Sequence, residues 1–279
     1  MDLRRVKTIT IAVLLIIFVV MSGFLISLNR RDKAIEKEAN DQVVALLDKN
    51  NIILDANIIP EKNESVEESY VEKIIPKDPV FIEKLLGKGY KKEGNGNYKK
   101  ENKEIIIEGA SFSYKTGEGT DSVKISDRAQ VESYCREKLE WLGADESLYV
   151  FSGVNKAGDT VKALFSGKYK NYEFFDSFIS FELTEKGIKS IQSKNLLSSS
   201  TSSQDKTPLF SISSILLDIA GNPEMDKEKK TAVISIAKGY YIGRESDYKK
   251  TMAVPVWQIA LDDGTIMYYD ARNGNYIEM

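Results

Sequence analysis

The sequence predicts an α+β fold: a single N-terminal transmembrane helix, then an extracytoplasmic body of antiparallel β-meanders, each packed with a helix. Three observations lead there. Residues 8–29, "TITIAVLLIIFVVMSGFLISLN", carry no charge. Beyond them, two stretches each place a capped amphipathic helix ahead of three strand-like runs, which reads as a helix-plus-three-strand repeat. The closing strands turn at Asp-Gly and Asn-Gly steps, the residues that tolerate the positive φ of tight hairpins. Chance similarity between two such common layers is the alternative to a true repeat.

The uncharged run comes first. As a helix it spans roughly 33 Å, against a hydrocarbon core of about 30 Å. It exceeds the apolar region of a cleaved signal peptide, so a retained anchor is expected. Residues 1–7 form the tail before it. Arg4, Arg5 and Lys7 precede the span and Arg30, Arg31 and Lys33 follow it, so the positive-inside count ties. A seven-residue tail is easily retained and a long domain translocates regardless of charge, which favours a cytoplasmic N-terminus. Along the span, Thr8, Ala12, Ile16, Val19, Gly23 and Ser27 fall within an arc of about 100°. Gly23 with Ser27, and Thr8 with Ala12, are small-xxx-small pairs that let membrane helices approach closely. This face is the expected partner-binding surface, though small residues are common in any membrane helix.

Residues 30–50 keep a helical stripe (Ile35, Ala39, Val43, Leu46, Leu47) among charges, a stalk continuing the span or a helix docked on its own domain. "NNIILDANIIP" reads as extended and "EKNESVEE" as an acidic loop. Asp78 opens a short helix with Pro79 in its first turn and Gly87 past its end. A hairpin turning near Asn95-Gly96 follows, with strands to Tyr114. From Ser126 a capped helix turns Val131, Cys135, Leu139 and Leu142 inward and stops at Gly143. Three strand-like runs reach Thr184, and residues 51–197 form the first α+β domain. Residues 198–207, rich in serine, read as a linker. In the second domain, 208–279, Thr207 caps a helix with Pro208 in its first turn and Ile212, Ile215, Leu216 and Ile219 inward. "TAVISIAKGYYIG", "AVPVWQIAL" and "TIMYYDA" are its strands. Folding about Asp263-Gly264 as a two-residue turn sets Leu261 opposite Ile266 and Ile259 opposite Tyr268. Trp257, Ile259, Leu261, Ile266 and Tyr268 then share the core face. Asn273-Gly274 forms the next turn.

Composition narrows the chemistry. The 279 residues are 42% hydrophobic and 29% charged, a globular balance. Net charge is -3; the first 29 residues carry +2, leaving -5 on the rest, which gives no case for nucleic acid. There is no histidine, which removes Ser-His-Asp and Cys-His catalysis and His-based zinc sites. The one cysteine, Cys135, has nothing to activate it and reads as buried and structural. "GEGTDS" and "GNGNY" lack the strand-loop-helix setting of a phosphate loop and read as turns. "DARNGNYIE" imitates a calcium loop from Asp270, but Arg272 stands where an oxygen ligand is required. Glu67-Glu68 would act as acid and base only in a cleft at suitable separation. No cofactor, metal or catalytic residue is expected.

The basic tail running into one span and a stalk, "LLDKNNIILDANIIP" directly after it, and the terminal "VPVWQIALDDGTIMYYDARNGNYI" together resemble the YycI family. The closing strands, with Trp257, Tyr268-Tyr269, Asp270-Ala271 and Asn273-Gly274, look like a PepSY-type module. The resemblance implies a membrane-anchored, non-enzymatic regulator outside Gram-positive cells. With a YycH-like partner it would restrain a WalK (YycG) sensor histidine kinase that controls cell-wall metabolism, in part through membrane-helix contacts. It carries no catalytic residues. The alternative is a PepSY-like inhibitor or binding module for an exported protease or wall polymer, with the anchor only localising it. A homo-oligomer stays open.

Overall fold

The computed structural model describes residues 18, 21, 22, 24, 27, 35, 37–60, 65–117, 119, 121–221, 229–243 and 248–278. Thr8, Ala12, Ile16, Val19 and Gly23 lie outside them; Ser27 is helical and exposed. Among the described residues, no helix is long and apolar enough to cross a membrane. The body is α+β and divides into two compact units that interleave along the chain. The described residues of unit 1 fall in 1–61, 212–235 and 260–265; those of unit 2 fall in 62–211, 236–259 and 266–279.

Unit 1 begins with α1, whose described residues are helical over 37–49. Its final turns bury Val43 and Leu47, while Ile35 and Leu46 stay exposed. Ser213 Oγ donates to Asn40 Oδ1 at 2.9 Å. The end of the stalk is thus docked within its own unit. β1 (Ile52–Leu54) follows, and Asp55 caps a single 3-10 turn over Ala56–Ile58. β1 pairs in parallel with the first residues of a later strand, Thr231–Val233.

Unit 2 is a sheet with helices laid on it. β2 (Val66–Lys73) leads to α2 (Pro79–Leu86), capped by Asp78 Oδ1 accepting from Val80 N at 2.9 Å. Four strands follow: β3 (Lys91–Lys92), β4 (Asn97–Lys100), β5 (Lys103–Glu108) and β6 (Ser111–Lys115). The expected single hairpin is therefore three, each antiparallel. Gly96 adopts φ +82 where a Cβ would sit 2.2 Å from the Ile107 carbonyl oxygen, so only glycine fits that turn. α3 (Arg128–Leu142) starts at Asp127, whose carboxylate accepts from Ala129 N and Gln130 N, and ends at left-handed Gly143. Val131, Cys135, Leu139 and Leu142 are its buried face, as the spacing predicts.

β7 (Tyr149–Ala157), β8 (Thr160–Tyr169) and β9 (Tyr172–Thr184) form the expected antiparallel meander. Phe81 of α2 meets Phe112 edge-on at 5.2 Å, and Arg136 of α3 lies over Phe165 at 5.6 Å. β10 (Gly187–Lys194) joins β9 to β6. The serine-rich segment is not a linker: it is β11 (Leu197–Thr207), antiparallel to β2. Its backbone is held by the ladder and Ser198 Oγ donates to Glu72 O, so the polar composition marks a solvated strand face. Thr207 ends β11 instead of capping a helix, and α4 (Ile212–Gly221) starts later, in unit 1, burying Ile212, Ile215, Leu216 and Ile219.

β12 (Thr231–Tyr241) and β13 (Lys250–Leu261) each contribute to both units, and β14 (Ile266–Asp270) and β15 (Tyr276–Ile277) close the chain. β12, β13 and β14 lie side by side in that order, the arrangement expected of the second meander. β12 also pairs in parallel with β9.

The closing hairpin departs from expectation by one residue. Leu261 N donates to Thr265 O, and Gly264 N donates to Leu261 O. The loop is therefore three residues, Asp262-Asp263-Gly264, with Gly264 at φ +89 as the left-handed third position. Ala271 N donating to Pro255 O extends the same register. Ile259 then faces Met267 and Trp257 faces Tyr269. A one-residue slip moves every side chain of one strand to the other face. Trp257, Ile259 and Leu261 are buried as expected, but Met267 and Tyr269 join them, while Ile266 is 48% exposed. Tyr268 is half-buried on the opposite face, its hydroxyl accepting from Gln258 Nε2 at 3.0 Å.

Candidate functional site

The C-terminal carboxylates are each tied to nearby backbone. Asp262 Oδ1 accepts from Ala232 N at 2.9 Å. Asp263 Oδ1 accepts from Thr265 N at 2.9 Å, and that amide holds the exposed carboxyl below its usual range. Asp270 is buried and grips Arg272: Oδ1 accepts from its backbone N at 2.8 Å, and Oδ2 from Nη2 at 2.6 Å. That pairing keeps the Arg272 guanidinium protonated. Asn273 Oδ1 accepts from Asn275 N, and Gly274 N donates to Asp270 O, so Asn273 and Gly274 form the expected turn. The calcium-like sequence is an Asx turn closed by an arginine.

Other candidates resolve similarly. The Cys135 thiol is buried and pushed up to about 12 by burial, then by Glu132. Glu67 and Glu68 are adjacent on β2, so their side chains leave on opposite faces and form no acid-base pair. Glu67 pairs with Lys170, which lowers its pKa. Among the described residues, no group of three or more His, Cys, Asp or Glu side chains could hold a metal ion.

Two constellations in unit 2 were not visible in the sequence. The first is a buried polar network around Asp176 on β9. Its Oδ1 accepts from Ile242 N at 2.9 Å; its Oδ2 accepts from Gly243 N at 3.0 Å and from Asn195 Nδ2 at 2.9 Å. Ser177 Oγ donates to Asn195 O, and Tyr149 Oη accepts from Leu197 N at 2.8 Å. Burial raises the Asp176 carboxyl and pushes the Tyr149 phenol up to about 12. The network fastens the end of β12 and the β10–β11 connection to β9. Its one sequence signal is a charged residue, Asp176, inside the otherwise uncharged run "FFDSFIS".

The second is a cavity of about 270 Å³ where β2 ends and α2 begins, lined in part by Lys73, Lys84 and Lys249. Ile75, Val80 and Leu142 supply apolar walls, and Val80 is 75% exposed. Lys73 is almost fully buried, and Lys84 Nζ stands 5.9 Å from the ring centroid of half-exposed Trp141. Trp141 also lines a pocket with Asp121, whose Oδ2 accepts from Tyr134 Oη at 2.7 Å and pairs with Lys138 Nζ at 2.9 Å. A wider cavity of about 550 Å³ lies among the turns near Gly117, Gly158 and Lys186. These surfaces offer binding groups: cations, apolar walls and one exposed ring.

Comparison with known proteins places the fold and then the family. An uncharacterized protein from Eubacterium rectale ATCC 33656 superposes with a TM-score of 0.51 at 13% identity, covering 77% of this chain and 86% of that one. The fold is therefore shared with that protein. The Bacillus megaterium YpeB C-terminal domain gives a TM-score of 0.31 at 10% identity, covering 74% of this chain and 97% of that one. No curated protein matches the sequence. The family described as YycI protein matches residues 31–272, and the chain belongs to the YycI family.

Proposed function

We propose that this protein is a membrane-anchored, non-enzymatic regulator that restrains a WalK (YycG)-type sensor histidine kinase together with a YycH-like partner, in control of cell-wall metabolism. The observation that carries the reading is the family match over residues 31–272; the family is a regulatory one. The N-terminus is cytoplasmic, residues 8–29 cross the bilayer once and the body lies outside. The uncharged run and the small-residue pairs in it support that placement. A regulator of this kind acts by contacting two kinase states unequally, and a coupling of about 1–3 kcal/mol suffices.

The membrane face Thr8, Ala12, Ile16, Val19, Gly23 and Ser27 is the proposed contact with the kinase helices. Replacing Gly23 and Ser27 by leucine puts bulk into that face without adding charge. Co-purification with the kinase from membranes should fall, and kinase phosphorylation should rise. Unchanged association together with unchanged phosphorylation rejects the membrane-face reading.

A further inference from the structure

We infer that Asn95 is a site of spontaneous covalent modification, closing onto the Gly96 nitrogen as a succinimide and opening to aspartate or isoaspartate. The same tetrapeptide, "NGNY", occurs twice in the chain, from Asn95 and from Asn273, and there is one Asp-Gly step, Asp263-Gly264. Each of these steps can cyclise, because glycine has no side chain to obstruct the approach of its nitrogen to the preceding side-chain carbon. Local sequence therefore does not rank them. Their hydrogen bonds do.

Two of the three steps are tied at both reacting ends. Gly274 N donates to Asp270 O at 2.8 Å, while Asn273 Oδ1 accepts from Asn275 N at 2.9 Å. Gly264 N donates to Leu261 O at 3.1 Å, while Asp263 Oδ1 accepts from Thr265 N at 2.9 Å. Cyclisation at either place must first open both bonds. At Asn95-Gly96, among the described residues, neither the glycine nitrogen nor the asparagine side chain has a hydrogen-bond partner. Asn95 is exposed, so water reaches its amide carbon. The Gly96 carbonyl accepts from Ile107 N at 2.8 Å, which places the residue while leaving its nitrogen unbonded.

The reaction needs only water. Gly96 N gives up its proton to solvent base and attacks Asn95 Cγ. The new C–N bond replaces the Cγ–Nδ2 bond, and Nδ2 leaves as ammonia. Water then opens the ring. Attack at Cγ gives aspartate; attack at the backbone carbonyl carbon of residue 95 gives isoaspartate, whose main chain runs through the side-chain carbon. Both products add negative charge. Isoaspartate also lengthens the loop that Glu93 N closes by donating to Asn97 O at 2.9 Å. β3 is two residues long, stands at the end of the sheet order and pairs with β4, so it is the strand this product loosens.

The test holds the purified full chain in nonionic detergent at mildly alkaline pH, beside a second sample in urea. Peptide mass spectrometry follows the replacement of amide by acid at residues 95 and 273, and released ammonia is measured in parallel. In urea the two asparagines should convert at similar rates, since they share the same following residues. In the folded protein Asn95 should convert at least roughly tenfold faster than Asn273. Conversion should accelerate as pH rises, because the nitrogen must lose its proton. Asn95→Gln, a change at an exposed side chain, should keep the fold and remove the early ammonia. Hydrogen exchange at residues 91–93 should quicken as isoaspartate accumulates. Equal conversion of the two asparagines in the folded protein, faster conversion of Asn273, or an intact Asn95 once the urea sample has fully reacted overturns the inference. Unchanged exchange at residues 91–93 in the isoaspartate form overturns the loosening of β3.

Discussion

Asp176→Ala is the sharpest perturbation of the buried network. It removes a carboxylate that accepts three hydrogen bonds, from Ile242 N, Gly243 N and Asn195 Nδ2, all between 2.9 and 3.0 Å. Asp176 is 2% exposed, so the orphaned donors cannot simply turn to solvent. Each buried donor left without an acceptor costs about 1–3 kcal/mol. Loss of the buried charge offsets part of this, and water entering the vacated space offsets more. The net loss should be about 3–5 kcal/mol. For a body of this size, each kcal/mol moves the transition by about 2–4 °C, so the midpoint should fall by roughly 6–20 °C.

The pH dependence has a definite sign. Burial, the largest influence on Asp176, raises its folded pKa, and the amides of Ile242 and Gly243 only partly oppose that. A raised folded pKa means that the folded state holds its proton more tightly than the unfolded chain does. The contribution of Asp176 is complete below the ordinary carboxylate range. It is lost progressively as pH rises through the elevated folded value. The stability margin of the wild type over Asp176→Ala should therefore narrow as pH rises above the ordinary carboxylate range. Thermal and denaturant unfolding measure the margin, and hydrogen exchange at residues 236–243 reports the latch itself. A variant within about 1 kcal/mol of the wild type, with residues 242 and 243 equally protected, would refute the reasoning.

Two further predictions concern turns and the thiol. Gly264 has φ +89 with nothing near its missing Cβ, so Gly264→Ala should cost about 1–2 kcal/mol from backbone strain alone. Gly274 has φ +78 and its Cβ would lie 2.6 Å from Phe210 Cε1. Gly274→Ala should therefore cost about 1–3 kcal/mol more than Gly264→Ala, and equal denaturant midpoints would contradict the ring contact. Cys135 should resist iodoacetamide at pH 8 in the folded protein and react fully in denaturant, because burial keeps it a thiol. Rapid modification of folded protein, read by mass spectrometry, would contradict its placement.

How much of this was legible depends on which interactions are local. The caps at Asp78 and Asp127, the stops at Gly87 and Gly143, and the inward faces of α3 and α4 are written within single turns of helix. All of these were readable. The serine-rich segment was not, because β11 owes its strand to pairing with β2, more than a hundred residues earlier. Thr207 and Pro208 looked like a helix start for the same reason: a local cap signal lost to a ladder. The Asp176 network joins residues 149, 176, 195 and 242, and no local pattern announces it.

The closing hairpin shows how a correct turn can yield a wrong face. "LDDGT" accepts either a two-residue turn at Asp263-Gly264 or a three-residue loop from Asp262 to Gly264, since both give Gly264 the positive φ it favours. Local chemistry does not separate them, so the choice falls to burial. The two-residue turn would set Ile266 and Tyr268 inward with Trp257. The three-residue loop sets Met267 and Tyr269 there, leaving the Tyr268 hydroxyl to bond Gln258 and Ile266 to face water. It also frees Asp262 to accept from Ala232 N while its own amide donates to Ala232 O, and it lets Asp263 receive Thr265 N. One exposed isoleucine is a modest cost beside two carboxylates satisfied by backbone amides and a buried tyrosine-tryptophan pair. Asp262 and Asp263 are thus part of what sets the register of the sheet.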